Sequence, residues 1–267
     1  MKLRRWTSMA TAVATLVGLT ALSGAAPATA QDAGPAYVAL GDSYSSGVGA
    51  GSYESGSGAC KRSAKAYPRL WSAANSPSSF AFTACAGART TDVIAGQLGP
   101  LNASTGLVTV SIGGNDAGFG DTMTTCVLQG ERACLARVAQ ARTYIAETLP
   151  GKLDAVYDAI HQKAPSAEVV VLGYPRMYQL NGECKAGISE KSRAAINAAS
   201  DDLSGVTAKR AADHGFTYGD VRSAFGGHEI CSAAPWLHSV TFPVEESYHP
   251  TASGQSGGYL PVLEQAA

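Results

Sequence analysis

Three short apolar runs in the first half of the sequence each stop at a turn of glycine and small or polar residues. The first, Ala36-Tyr-Val-Ala-Leu, ends at Gly41-Asp-Ser43. The second, Phe80-Ala-Phe-Thr83, ends in Ala84-Cys-Ala-Gly-Ala88, and the third, Leu107-Val-Thr-Val-Ser-Ile112, ends in Gly113-Gly-Asn-Asp116. Runs of this length and β-branched content read as buried strands. Helical patterns separate them: 66–74, a segment capped at Thr90 or Thr91 running to about Leu98, and 117–163. Breaks are expected in the last at Pro150-Gly151 and in the loop between Cys126 and Cys134. Two further strands, 168–173 and 216–220, flank a long helix from about Ser189 to Asp213. A last helix is expected to start at Pro250, since proline suits a first helical turn. Strands that alternate with helices make an α/β fold, here a three-layer α/β/α sandwich on a mostly parallel sheet of about five strands. Ligands of such folds bind outside the carboxyl ends of the strands, where these turns lie.

The chain has 267 residues, and the first thirty read as a secretory signal. Lys2, Arg4 and Arg5 form a basic start, Met9 to about Leu22 is apolar, and Ala28-Thr-Ala30 is a small-residue cleavage site. The apolar run is short for a membrane span. Residues 31–267 then form one domain, with no repeat or internal boundary. Export removes those three cations from 20 basic residues, leaving 17 against 21 acidic, a net of −4. That balance excludes a nucleic-acid partner and electrostatic docking to a membrane. The predicted product is secreted, monomeric and without an integral membrane segment. Six cysteines, Cys60, Cys85, Cys126, Cys134, Cys184 and Cys231, imply three disulfides in an exported chain. Fifteen pairings are open; the sequential set is preferred. Zinc-type Cys-x-x-Cys spacing is absent.

Ser43 stands where the first strand gives way to a helix, so backbone N–H groups beside it favour a developing negative charge. A serine needs a base to become a nucleophile, and histidine is the usual one. His161 and His214 sit at helix ends and read as structural, and His228 and His238 lie in an irregular segment with nothing diagnostic around them. His249 lies on the last loop before the final helix, with Glu246 three residues earlier to orient the ring, in the chain order serine–acid–histidine. The glycine-rich stretch Gly47–Gly58 reads as a mobile surface loop beside Ser43, either a linker or a groove lip. Asp42 and Asp116 read as local turn acceptors.

Gly41-Asp-Ser-Tyr44, Gly87, Gly113-Gly-Asn-Asp116 and His249, in that order, resemble the SGNH (GDSL-type) hydrolases, especially secreted actinobacterial lipases and phospholipases. The G-x-S-x-G elbow of α/β-hydrolases is absent around Ser43. The resemblance implies Ser43 as nucleophile and His249 as general base, then acid. It implies an oxyanion hole from the N–H groups of Ser43 and Gly87 and the amide of Asn115. Gly87 is expected to serve because a residue without Cβ allows close approach. Tyr44 stands where the family has leucine, and Glu246 where it has aspartate; the Ser247 carbonyl is the alternative partner of His249. The implied reaction is hydrolysis of a lipid or small acyl ester, with no cofactor or metal. Two rivals stand beside it: a carbohydrate or small-acyl esterase on the same fold, and a secreted binding protein that kept the fold. The second predicts loss of a motif residue, and all four are present.

Overall fold

The computed structural model describes residues 34–267, together with Thr7, Met9 and Ala10; the expected signal segment otherwise lies outside the described residues. The first strand, β1 (Ala36–Gly41), is buried over five of its six positions and runs into a four-residue helix, α1 (Ser43–Ser46). Then come α2 (Tyr67–Asn75), β2 (Phe80–Phe82), α3 (Thr90–Asp92) with a wider turn over Val93–Gln97, and β3 (Thr105–Ser111). Three helices follow: α4 (Phe119–Leu128), α5 (Gly130–Glu147) and α6 (Leu149–Lys163). β4 (Glu168–Leu172), α7 (Glu190–Asp213) and β5 (Thr217–Gly219) lead to a wide turn, Gly254–Tyr259, and α8 (Leu260–Ala266).

All five strands are parallel, in the order β2-β1-β3-β4-β5. From β1 the chain steps outward to β2, then crosses back to β3 on the other side. The reversal between β1 and β3 is a topological switch point, where a crevice opens at the strand ends. Helices α2 and α8 pack together, while α3 and α7 pack with α6, giving the two outer layers of the α/β/α sandwich. The core between them holds Leu40, Val108, Val110, Val170 and Leu172 from the sheet, met by Leu153, Val156 and Ile160 of α6. Tyr37 stays inside because its hydroxyl shares a hydrogen bond with the Thr109 hydroxyl at 2.8 Å.

The break expected near Pro150 falls at Thr148, and Pro150 sits in the first turn of α6, where its missing N–H costs nothing. The helix boundaries differ from expectation at two places, each for a local reason. No loop separates Cys126 from Cys134: α4 and α5 meet across Gln129 alone, and the disulfide staples the corner. Pro250 is not in the last helix; it pairs with Leu237, and helical turns begin at Ala252. The other disulfides are Cys60–Cys85 and Cys184–Cys231, so the bonds join sequential cysteines. The Gly47–Gly58 stretch is only partly at the surface. Val48 and Ala50 are buried, and Ser46 carbonyl binds the Ser63 N–H, so its first turn belongs to the core.

Candidate active site

At the carboxyl end of β1 the chain must turn within one residue. Gly41 adopts φ +123°, and a Cβ there would lie 2.5 Å from the Ser111 carbonyl, so only glycine fits. The Gln97 side chain grips this residue from both sides, accepting its N–H at 2.7 Å and donating to its carbonyl at 2.9 Å. Asp42 then caps α1 by accepting the Tyr44 N–H at 2.9 Å. Ser43, the first helical residue, is left with its hydroxyl at the mouth of the crevice.

His249 Nε2 lies 2.8 Å from Ser43 Oγ, across 206 residues of sequence. The other ring nitrogen, Nδ1, lies 3.0 Å from the Ser247 carbonyl. A carbonyl only accepts, so Nδ1 carries the proton and donates it there. The neutral ring then keeps its lone pair on Nε2, facing the serine hydroxyl. Burial pushes the imidazole down from 6.5 to about 4, against the opposing pull of that carbonyl. The ring is therefore neutral at pH 7.

The segment holding His249 is braced at several points. Tyr248 adopts φ +64°, a left-handed conformation that a bulky side chain seldom takes. It is fixed there because the Tyr44 hydroxyl donates to its carbonyl at 2.6 Å and its N–H donates to the His238 carbonyl at 3.1 Å. His238 in turn donates Nε2–H to the Gly49 carbonyl at 2.8 Å. His238 and Tyr44 thus hold the backbone beside His249 in place. His228 stacks on Trp236 at 3.6 Å, and His214 meets Asp154 at 3.1 Å, both away from Ser43.

Glu246 is not the partner of the ring. Its carboxylate accepts the Tyr53 hydroxyl at 2.7 Å, and the Ser247 carbonyl takes the position against Nδ1. The turn Val244–Glu246 explains this: it sends the Glu246 side chain toward the glycine-rich stretch and leaves the next carbonyl facing the imidazole. Replacement of Glu246 by glutamine is expected to change kcat/KM less than about threefold. Removing a true triad acid costs roughly 10⁴. A loss above 100-fold in steady-state kinetics on a soluble ester would restore Glu246 to the mechanism.

Gly87 and Asn115 face the same opening as Ser43. Gly87 sits at φ +77°, and a Cβ there would meet nothing within 4 Å. That positive φ favours glycine, and the space beside it stays open toward the Ser43 hydroxyl's side of the crevice. Among the described residues neither the Ser43 N–H nor the Gly87 N–H has a hydrogen-bond partner. Asn115 donates one amide hydrogen to the Ala88 carbonyl at 3.0 Å, which aims the side chain and leaves the second hydrogen unused. Asp116 is more than a turn acceptor, since it takes both the N–H and the hydroxyl of Thr90, at 3.0 and 2.6 Å. It thereby ties the loop of Asn115 to the loop of Gly87. Asp42 has a second bond too: the Tyr174 hydroxyl donates to it at 2.5 Å. Burial raises this carboxyl to about 7.

From Ser43 a cavity of about 770 Å³ runs inward between helices. Phe119 and Met123 of α4, Val138, Ala141 and Ile145 of α5, and Ile196 and Leu203 of α7 line it, so it is predominantly apolar. Sequence reasoning found Ser43, Gly87, Asn115 and His249, which the fold brings to one opening. It missed Gln97, Tyr174 and His238. Tyr174 alone carried a usable signal, because it directly follows the fourth strand.

Comparison with known proteins agrees with this architecture. A lipase from Streptomyces rimosus is 71% identical over 230 residues, 86% of each chain. The crystal structure of an extracellular lipase from Streptomyces rimosus aligns with TM-score 0.86 at 70% identity, over 87% of this chain and 100% of that one. That of phospholipase A1 from Streptomyces albidoflavus NA297 aligns with TM-score 0.86 at 65% identity, over 88% and 100%. With this fold and these relatives, the chain is a carboxylic ester hydrolase. Within that class it belongs to the GDSL-like lipase/acylhydrolase family, which residues 39–256 match.

Proposed function

We propose that this protein is a secreted lipase that cleaves acyl esters of glycerolipids, phospholipids among them, through an acyl-enzyme on Ser43. The observation that carries the reading is the 2.8 Å contact between Ser43 Oγ and His249 Nε2 at the mouth of a large apolar cavity. The relatives named lipase and phospholipase A1 support the substrate class. The basic, apolar and small-residue pattern of residues 1–30 supports export, with cleavage after Ala30.

The chemistry follows from the donors and acceptors at the opening. His249 Nε2 takes the Ser43 proton as Oγ attacks the ester carbonyl carbon. The carbonyl oxygen becomes an oxyanion and is met by the N–H groups of Ser43 and Gly87 and the free amide hydrogen of Asn115. The imidazolium, steadied by the Ser247 carbonyl, gives its proton to the departing alkoxide. Water then enters and loses a proton to His249 as it attacks the acyl carbon, and His249 returns that proton to Ser43 Oγ as the acid leaves. An acyl chain of medium or long length fills the apolar cavity, which an acetyl group would leave empty. A series of p-nitrophenyl esters from acetate to palmitate tests this. The expected optimum lies at medium or long chains; activity confined to acetate would move the substrate to small acyl groups.

The buried base sets a pH expectation. The neutral imidazole is the active form, so activity rises with pH through the folded-state pKa. Because that pKa is lowered, the acidic limb of kcat/KM is expected below pH 6.5. The same shift favours unfolding as pH falls from 6.5 toward 4, since the unfolded chain takes the proton first. Asp42 acts in the opposite sense. Its carboxyl is raised to about 7, so the folded state binds its proton more tightly, and that contribution is lost as pH rises from the ordinary 3.8 through 7. The two oppose each other between pH 4 and 6.5, so the kinetic limb is the cleaner measurement. A limb centred at or above 6.5 would contradict a desolvated base.

A further inference from the structure

Within residues 34–267, large apolar side chains stand exposed at seven positions, and five of these gather about one opening. Val127 and Leu128 project from the corner between α4 and α5; Val240, Phe242 and Val244 project from the loop before His249. Val127, Leu128, Val240 and Val244 also line the cavity that starts at Ser43. Phe242, between the last two, is 93% exposed, and Leu128 is 74% exposed. Leaving a phenylalanine in water forgoes the free energy of its burial, and such clusters mark binding surfaces.

Both halves of the patch are held firmly. The corner is stapled by Cys126–Cys134. The loop closes on itself: the Thr241 N–H donates to Ser247 Oγ at 3.0 Å, the Glu246 N–H to the Pro243 carbonyl at 3.0 Å and the Ser247 N–H to the Val244 carbonyl at 3.1 Å. These bonds occupy backbone donors that an apolar medium would leave unsatisfied. Charge at the rim is balanced, because Lys61 and Glu245, which line the same opening, pair with each other. The buried Asp42 is bonded to Tyr174.

We propose that this patch seats the enzyme on a neutral or zwitterionic lipid surface, with Phe242 entering the apolar layer and the cavity mouth facing it. The proposal rests on the lipase reading above. An acyl chain leaving a lipid layer for the cavity passes between Val240, Val244 and Leu128 without crossing water. A paired rim gives an uncharged surface no electrostatic penalty and an anionic one no special attraction. The loop also carries the Ser247 carbonyl that holds His249, so the docked segment and the base share one turn of backbone.

The test compares wild type with Phe242→Ser, using vesicles of ether-linked phosphatidylcholine, which the enzyme cannot cleave. Wild type is expected to sediment with the vesicles. The variant is expected to partition at least tenfold more weakly, a change of about 1.4 kcal/mol. Its kcat/KM on soluble p-nitrophenyl butyrate should stay within twofold, which also shows that it is folded. Should it not fold, Phe242→Trp is the second probe, and its fluorescence should be quenched by brominated phosphatidylcholine. Equal partitioning of the two proteins, or an unquenched Trp, would overturn the proposal. So would binding that needs phosphatidylglycerol and disappears in salt, or a wild-type dimer that Phe242→Ser dissolves, since a second copy would then cover the patch. Absence of activity on the soluble ester in wild type would instead refute the lipase reading, whatever the vesicles show.

Discussion

Replacing Ser43 by alanine is expected to lower kcat/KM on a p-nitrophenyl ester by about 10⁴-fold or more. The fold should survive. Ser43 opens a four-residue helix whose cap is the Asp42 carboxylate, not the serine hydroxyl. The side chain's contact is with His249, so its loss removes one hydrogen bond, about 0.5–1.5 kcal/mol. Chemistry suffers far more. Among the described residues no other hydroxyl lies against His249 Nε2, so no second nucleophile can take over. The donors at Ser43, Gly87 and Asn115 remain, and with water as nucleophile they leave a residual rate over the uncatalysed reaction. Steady-state kinetics with thermal unfolding as the control decides the matter. A rate within tenfold of wild type in a folded variant would remove Ser43 from the mechanism.

What the sequence discloses and what it conceals divide along a physical line. The three central strands are legible because each is a short apolar run, and burial on both faces of a parallel sheet requires that composition, whereas the edge strands β2 and β5 are only partly buried. The turn at Gly41 is legible because its backbone admits nothing larger. His249 is legible as the one histidine on the last loop before the final helix. The partner of its ring is not legible, because it is a main-chain carbonyl, and main-chain carbonyls have no letter in the sequence. The reading therefore reached for Glu246, the nearest carboxylate. Gln97 escapes for a related reason. Its two bonds to Gly41 span 56 residues, and an amide at a helix end looks like any polar surface residue. Tyr44 was legible as a departure from the family's leucine but not as a brace, since its bond reaches a carbonyl 204 residues away. The boundary error at Pro250 has a physical cause. Proline reports a restricted φ and a missing donor, and a helix start, a helix stop and a bridge edge can all use both.

Asn115 is where a structural role and a chemical role make opposite predictions. As a turn former it could be replaced by aspartate at little cost, because both residues suit the same local conformations. As an oxyanion donor it could not. One amide hydrogen is committed to the Ala88 carbonyl, which fixes the side chain, and the other is left for the substrate oxygen. Alanine removes both hydrogens and is expected to lower kcat by about 10²–10³, or ~2.7–4 kcal/mol, with KM little changed, since the interaction strengthens only as charge develops on the oxygen. Aspartate does worse. It sets a carboxylate against the Ala88 carbonyl and against the developing oxyanion, replacing attraction by repulsion at both. The expected order of kcat is therefore asparagine, then alanine, then aspartate. If aspartate instead matched asparagine and only alanine were impaired, Asn115 would be holding a turn, and the oxyanion would rest on the N–H groups of Ser43 and Gly87 alone.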